Sequence, residues 1–270
     1  MKHIVNKSTV VPTPPIMNWI VSDTFQEDKA TIRSVQNALM KNRIELVFQP
    51  VCSLSGRDSF LYYECLTRVT GKSDDVMQPG QFMPVLERRG VAQAFDHYIM
   101  LRVIELLREH SDLTLGVNIS AASADDESLW ANVLSCLSED TDIANRLIVE
   151  VTETAPAEPI GTRLLARKLQ CLGCRVAVDD FGAGYSLPTA MAIGHADIVK
   201  IDASVMKDVR RGARSPASLR EFVEFAYGFG RCLIIEGIET EEDLALASAM
   251  KIQWAQGYHF GFPGELGRIV

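Results

Sequence analysis

The sequence predicts a modified TIM barrel: an α/β fold of the (β/α)8 type whose first strand runs antiparallel. Three observations carry that prediction. The chain has 270 residues, enough for one large α/β barrel. Eight short β-forming runs follow one another from Ile44, with amphipathic helical patterns between most of them. Seven of those runs also end near a polar residue, which a strand buried on both faces would not otherwise carry. An open doubly wound sheet is the alternative, but "FQPVCSLSG" after the first run offers no glycine-rich phosphate loop.

Residues 1–28 read as a leader, and 29–270 as the barrel domain. In the leader, "VPTPP" is stiff and turn-prone. The apolar cluster Ile16, Met17, Trp19, Ile20 and Val21 then docks on the domain itself or on a protein partner. "DKATIRSVQNALMKN" has Ile32, Val35 and Leu39 near helical spacing. Strands are expected at "IELVFQPV" (44–51), "FLYYECL" (60–66), "LTLGVNI" (113–119) and "RLIVEV" (146–151). The later ones are "RVAVDD" (175–180), "DIVKI" (197–201), "CLIIEG" (232–237) and "WAQGYHF" (254–260). The polar turn "CSLSGRDS" joins the first two as a hairpin, which is why the first strand is expected to be antiparallel. Helical patterns such as "RLLARKLQCL", "LREFVEFAYGF" and "EEDLALASAM" fill the later gaps.

Composition narrows the function. Apolar residues make up 47 % and charged ones 23 %, ordinary for a globular protein. A net charge of −8 argues against a nucleic-acid polymer as partner, since no basic field exists to release phosphate counterions. No run approaches the ~20 apolar residues of a membrane span, and the N-terminus lacks a signal-peptide pattern, so a cytoplasmic location away from membranes is expected. Of six cysteines only "CLGC" (171–174) has redox or zinc spacing. It has no second pair and falls between a helix and a strand, with Gly173 as the helix C-cap, so a structural role is expected. The basic stretch "VRRGAR" (209–214) reads as a solvated loop.

At the C-terminal mouth of such a barrel the strand ends would bring together Glu64, Asn118, Glu150, Asp179, Asp180, Lys200, Glu236 and Gln256. Carboxylates and an amide oxygen without histidine or thiol form a hard oxygen site, which selects Mg²⁺ or Mn²⁺. Adjacent aspartates suit two ions ~3.5–4 Å apart. Strand geometry alone would point them to opposite faces, and Gly182 and Gly184 would let the backbone bend. Lys200 either offsets the acids or acts on water and phosphate charge. Glu236 either binds a metal or accepts a proton. Gln49, a polar group on an apolar strand, is structural or lines a base pocket.

Together "ECLTR" (64–68), "NIS" (118–120), "EVTE" (150–153), "DDFGAGYS" (179–186), "KID" (200–202), "EGIE" (236–239) and "QGYHF" (256–260) resemble the EAL domain, a bacterial second-messenger phosphodiesterase family. The resemblance runs from about residue 30 to Pro263. It implies hydrolysis of cyclic di-GMP to linear pGpG by a water activated between two metals. By it, Glu64, Asn118, Glu150, Asp179 and Asp180 are metal ligands, and Glu64, Lys200 and Glu236 are catalytic. It also implies that Arg68 contacts a substrate phosphate, with Gln49, Glu239 and Gln256 in the substrate site. Glu153 would hold the loop containing Phe181, Gly182 and Gly184, which couples metal binding to contacts within a homodimer. Mg²⁺ or Mn²⁺ is the implied cofactor, and Ca²⁺ is expected to inhibit because its larger shell fits poorly.

Three positions depart from the family pattern. Cys65 replaces alanine in the name-giving triplet. Leu187-Pro188 replaces serine-leucine after the paired aspartates. Ala203 and Val205 replace arginine and phenylalanine after "KID". A catalytically weak receptor or protein-binding module is the alternative function. The filled ligand set favours an enzyme.

Overall fold

The computed structural model describes residues 26–56, 59–71, 75–125, 127–152, 159–184 and 186–266. The expected leader lies outside the described residues, apart from the first residues of helix α1 (Gln26–Met40). Ile32, Val35 and Leu39 form the buried face of that helix, as their spacing predicts.

Strands β1 (Ile44–Ser53) and β2 (Phe60–Thr70) form the expected antiparallel hairpin. A two-residue strand, β3 (Val76–Met77), pairs with the end of β2. Helices α2 (Pro79–Arg88) and α3 (Ala92–Glu109) then lead into β4 (Leu115–Ser120). A 3₁₀ turn at Ala121–Asp125, α4 (Glu127–Glu139) and α5 (Thr141–Arg146) precede β5 (Leu147–Thr152). The chain continues through α6 (Pro159–Leu172), β6 (Arg175–Phe181), α7 (Ser186–Ile193) and β7 (Ala196–Ile201). It ends with α8 (Ala203–Arg210), α9 (Pro216–Ala226), β8 (Gly230–Ile235), α10 (Glu241–Ala249) and β9 (Trp254–Ala255).

The strand order β1-β9-β8-β7-β6-β5-β4-β2 closes through the β1–β2 pairing into an eight-stranded barrel, with β3 outside the ring. β1 runs antiparallel to both neighbours, and β2 and β4 to β9 run parallel. The fold prediction therefore holds. The expected last strand does not run its full length. After Ala255 the backbone of Gly257 presses against that of Ile238, so close that an added Cβ would collide with it. That approach bends "QGYHF" out of the sheet.

Two other local expectations have physical outcomes. Cys171 is exposed, Cys174 is buried, and Gly173 has φ +101, so "CLGC" is a helix end turning into a strand. Pro188 sits in the first turn of α7, where a missing N–H costs no helical hydrogen bond. Among the described residues no helix is long and apolar enough to cross a membrane.

Candidate active site

The barrel interior is built in layers two residues apart, because alternate strand residues face inward. Tyr62, Ile148, Ala177, Ile198 and Ile234 belong to one apolar cluster inside the ring. Two residues further along the same strands or just past them come Glu64, Glu150, Asp179, Lys200 and Glu236. On β1, which runs the other way, Gln49 lies two residues before Val51 of the apolar layer.

Lys200 is the centre of the polar layer, with only 1 % of its side chain exposed. Its Nζ lies 2.5 Å from Glu150 Oε2, 2.9 Å from Glu236 Oε1, 3.0 Å from Asp179 Oδ1 and 3.2 Å from Glu64 Oε2. Glu64 is held further by Asn118, whose Nδ2 donates to Oε1 at 2.7 Å, and by Gln256, whose Nε2 donates to Oε2 at 2.7 Å. Gln49 Oε1 accepts from the same Gln256 amide at 3.2 Å, and Gln49 Nε2 donates to the Gly261 carbonyl at 3.2 Å. One cation facing four carboxylates cannot keep all of them ionised out of water.

The protonation pattern follows from that imbalance. Burial pushes Glu150 up to about 8; Lys200 opposes the rise, and the charges of Glu64 and Asp179 add to it. Asp180 is pushed up to about 7, first by the charge of Asp179 and then by burial. Burial raises Asp179 and lifts Glu236 well above the usual carboxylate range. Glu64 is the exception. Burial opposes its charge, but Lys200 and the amides of Gln256 and Asn118 hold its carboxyl below the ordinary range. Lys200 is also desolvated, yet the surrounding acids keep it firmly protonated.

This arrangement fits divalent cations. Carboxylate oxygens of Glu64, Glu150 and Asp179 lie within 4.8 Å of one another, and so do those of Asp179, Asp180 and Glu236. Glu150 Oε1 and Asn118 Oδ1 are buried there without a hydrogen-bond partner. Buried acceptors without donors, in a hard-oxygen set, are what a cation would satisfy. Asp179 is common to both groups.

Asp180 faces the mouth by a route other than the expected one. Its own φ is +52, and the β6–β7 register shifts between Val178 and Phe181. The bend is therefore an irregularity at the aspartate itself, an αL conformation that Asp tolerates better than most residues. Gly182 and Gly184 also have positive φ, beyond it. Phe181 is buried and stacks near Phe222, Phe225 and Phe229, at centroid distances of 5.7, 6.0 and 5.3 Å. Glu153 lies outside the described residues.

Two expected substrate residues make no bond to the acid layer, although Glu239 lines the cavity over Lys200 and Glu236. Arg68 is half-buried and donates to the Thr67 carbonyl at 3.0 Å. Glu239 is 49 % exposed and pairs with Arg210 at 3.1 Å. That pairing corrects the reading of "VRRGAR" as a solvated loop, because Arg210 closes α8 and crosses to the segment after β8.

The acids lie between two cavities. One, of about 290 Å³, runs from Glu64, Asn118 and Asp179 to a wall of Phe82, Met83 and Ile99. The other, of about 310 Å³, lies over Lys200, Glu236, Gln256 and Tyr258. Glu64, Asp179 and Asp180 line both. Asp96 of α3 lines the first cavity and is absent from the strand-end set. Burial pushes it up to about 7, although it accepts bonds from Ser123 Oγ at 2.6 Å and Ser120 N at 2.8 Å. Its signal was an acid on the apolar face made by Phe95, Ile99 and Met100.

The EAL domain family model matches residues 32–263. The chain belongs to the EAL domain family. It is 26 % identical over 90 % of its length to the cyclic di-GMP phosphodiesterase PdeF of Escherichia coli (strain K12), covering 33 % of that protein. It is 27 % identical over 85 % of its length to the cyclic di-GMP phosphodiesterase NbdA of Pseudomonas aeruginosa, covering 31 % of it. The chain thus spans about a third of the length of these curated relatives. Among solved structures, the PaMucR phosphodiesterase in complex with c-di-GMP superposes with a TM-score of 0.77 at 23 % identity. That match covers 89 % of this chain and 100 % of the other. At that identity it supports the EAL fold alone.

Proposed function

We propose that this EAL domain hydrolyses cyclic di-GMP to linear pGpG, using Mg²⁺ or Mn²⁺ held as a pair by Glu64, Asn118, Glu150, Asp179 and Asp180. The observation that carries the reading is the placement of the acid layer between two cavities that share Glu64, Asp179 and Asp180. A cyclic dinucleotide has two bases flanking a phosphodiester ring, so each base has a cavity while one phosphate lies over the acids. The names of the relatives point to the same substrate.

Bound divalent ions supply Lewis acidity, lowering the pKa of water and offsetting charge on the phosphoryl oxygens. The protein residues do the rest. Lys200 keeps four carboxylates converged on one point and places a permanent positive charge beneath the reacting phosphate. Glu236 lines the cavity over Lys200 and, once bound cations keep its carboxylate ionised, would accept the nucleophile's proton at an Oε atom. Gln256 and Asn118 keep Glu64 ionised and oriented. Arg68, on the face of β2 that carries Glu64, offers its fork to a non-bridging phosphate oxygen. A homodimer completes the proposal. It would cover the exposed Leu164 and Met191 on the neighbouring helices α6 and α7.

The test is purified protein incubated with cyclic di-GMP and Mg²⁺ or Mn²⁺, with products separated by chromatography. Appearance of pGpG, its loss in Glu64→Ala, and inhibition by Ca²⁺ are expected. Tight binding of the dinucleotide with metal present and no pGpG would instead support the receptor reading.

A further inference from the structure

Arg210, the last residue of α8, makes three contacts with the segment that follows β8. Its Nη1 donates to the Gly237 carbonyl at 2.9 Å and to Asp243 Oδ2 at 2.7 Å, and its Nη2 lies 3.1 Å from Glu239 Oε1. Asp243 is itself only 4 % exposed at the side chain. The same Oδ2 accepts the backbone N–H groups of Glu239 at 2.9 Å and Thr240 at 3.1 Å. One guanidinium and one carboxylate therefore tie down the backbone on both sides of Ile238, immediately after Glu236. That segment has no strand partner of its own. Its other backbone anchors run from Glu236 N to Ile201 O at 3.0 Å, from Ile238 N to Gln256 O at 3.1 Å and from His259 N to Ile238 O at 3.0 Å. Ile238 itself is thus held by the last segment, while Gly237 and Glu239 on either side of it are held through Arg210 and Asp243.

We propose that Arg210, acting through Asp243, is a positioning residue that sets where the carboxyl of Glu236 stands over the acid layer. The physical case is reach and shape. Only a planar fork with several N–H groups can bond a carbonyl and two carboxylates at once, and a lysine ammonium reaches fewer of them in fixed geometry. The helix supplying it also carries Ala203, whose Cβ lies against Gly237 so closely that a Cβ added there would sit 2.8 Å away. α8 thus braces the segment with a methyl at its start and holds it with a cation at its end, two turns apart on one face. Glu239, which lines the cavity over Lys200 and Glu236, pairs with the same cation.

The proposal rests on the phosphodiesterase reading for its kinetic arm alone. Arg210→Met keeps much of the aliphatic stem and removes the fork. It is expected to lower kcat by tenfold or more with KM changed less than threefold, and to lower the melting temperature because Asp243 loses its partner, while the protein stays folded at the assay temperature. Arg210→Lys should recover part of kcat. In parallel, hydrogen exchange at the amides of Glu239 and Thr240 should accelerate at least tenfold in Arg210→Met, while the barrel strands exchange as in the parent. If Arg210→Met is poorly folded, Arg210→Lys carries both measurements, with a smaller loss in the same direction. Parent-like kcat, a loss that merely follows the melting temperature, or unchanged exchange at 239 and 240 would overturn the proposal. A parent without pGpG formation would remove the function reading, and the exchange comparison would then decide the clamp by itself.

Discussion

The barrel interior contains two neighbouring layers built by the same strands, and they obey opposite physics. In the lower layer Ile148, Ala177, Ile198 and Ile234 are almost completely buried hydrocarbon, stabilised by area removed from water. Two residues on, Glu150 and Lys200 are buried as deeply and Asp179 nearly so, but every charge there is stable only through its partners. One sheet geometry supports both because a shift of two residues keeps the inward direction. The hydrocarbon layer makes the ring rigid without any ligand. The charged layer has one lysine for four bonded carboxylates and is left short of positive charge. A hydrocarbon scaffold thus supports a site that divalent cations would complete.

Removing Lys200 tests that contrast most severely. Lys200→Met leaves four acids converging with no cation. Breaking a buried ion pair from one side costs ~3–5 kcal/mol, and here the loss is shared by several pairs. Thermal unfolding should show a large drop without metal, Mn²⁺ should return a substantial part of it, and turnover should fall at least a hundredfold. Ile198→Ala, in the other layer of the same strand, is the control. It should cost about 2–5 kcal/mol through a cavity. Mn²⁺ should stabilise this variant as much as it stabilises the parent, because no charge has changed. A Mn²⁺ shift that is the same for the parent, Lys200→Met and Ile198→Ala would remove the distinction between the layers.

The polar layer was legible in the sequence because an acid or lysine near the end of an apolar β run is conspicuous. Glu64, Glu150, Asp179 and Lys200 could be aligned across strands once the barrel was assumed. Its supports were less visible. Tyr62 reads as an ordinary strand residue, and nothing local shows that its ring lies beneath Glu150. Asp96 sits in a helix, where a single acid on an apolar face is easily passed over. Arg210 looks like part of a basic loop because its partners, Gly237, Glu239 and Asp243, lie beyond another helix and strand. The bend at Asp180 was expected, but the backbone chose the aspartate rather than the glycines for the first left-handed residue. Short-range pattern reveals which groups face inward. Which long-range partner holds them depends on closure of the ring.

Acidity offers a milder test. Glu150 rises from an ordinary value of 4.5 to about 8, and Asp180 and Asp96 rise from 3.8 to about 7. The folded protein therefore retains protons that the unfolded chain releases between about pH 4 and pH 8. Where the folded state binds more protons, stability falls as pH rises. Without metal, the melting temperature should decline across that window. Metals compete with protons for the same oxygens, so Mn²⁺ affinity should rise with pH and the melting curves with Mn²⁺ should flatten. A metal-free protein that becomes steadily more stable from pH 5 to pH 8 would mean that the acids are already ionised and matched by charges elsewhere.

The smallest expected effect lies at the boundary between the layers. Tyr62 is 1 % exposed, and its hydroxyl has no hydrogen-bond partner. Opposite it, β4 carries Gly116, where an added Cβ would strike both the Tyr62 ring and Glu150 Oε1. The glycine makes room for an aromatic floor under the charged layer, so the ring fills space while the hydroxyl remains unsatisfied. A buried polar group without a partner costs about 1–3 kcal/mol, and Phe keeps the ring without that group. Tyr62→Phe should therefore stabilise the protein by about 1 kcal/mol and leave Mn²⁺ binding unchanged. Destabilisation by the same amount, or weaker Mn²⁺ binding, would show that the phenol contributes to the charged layer and that the division between the two layers lies one position lower.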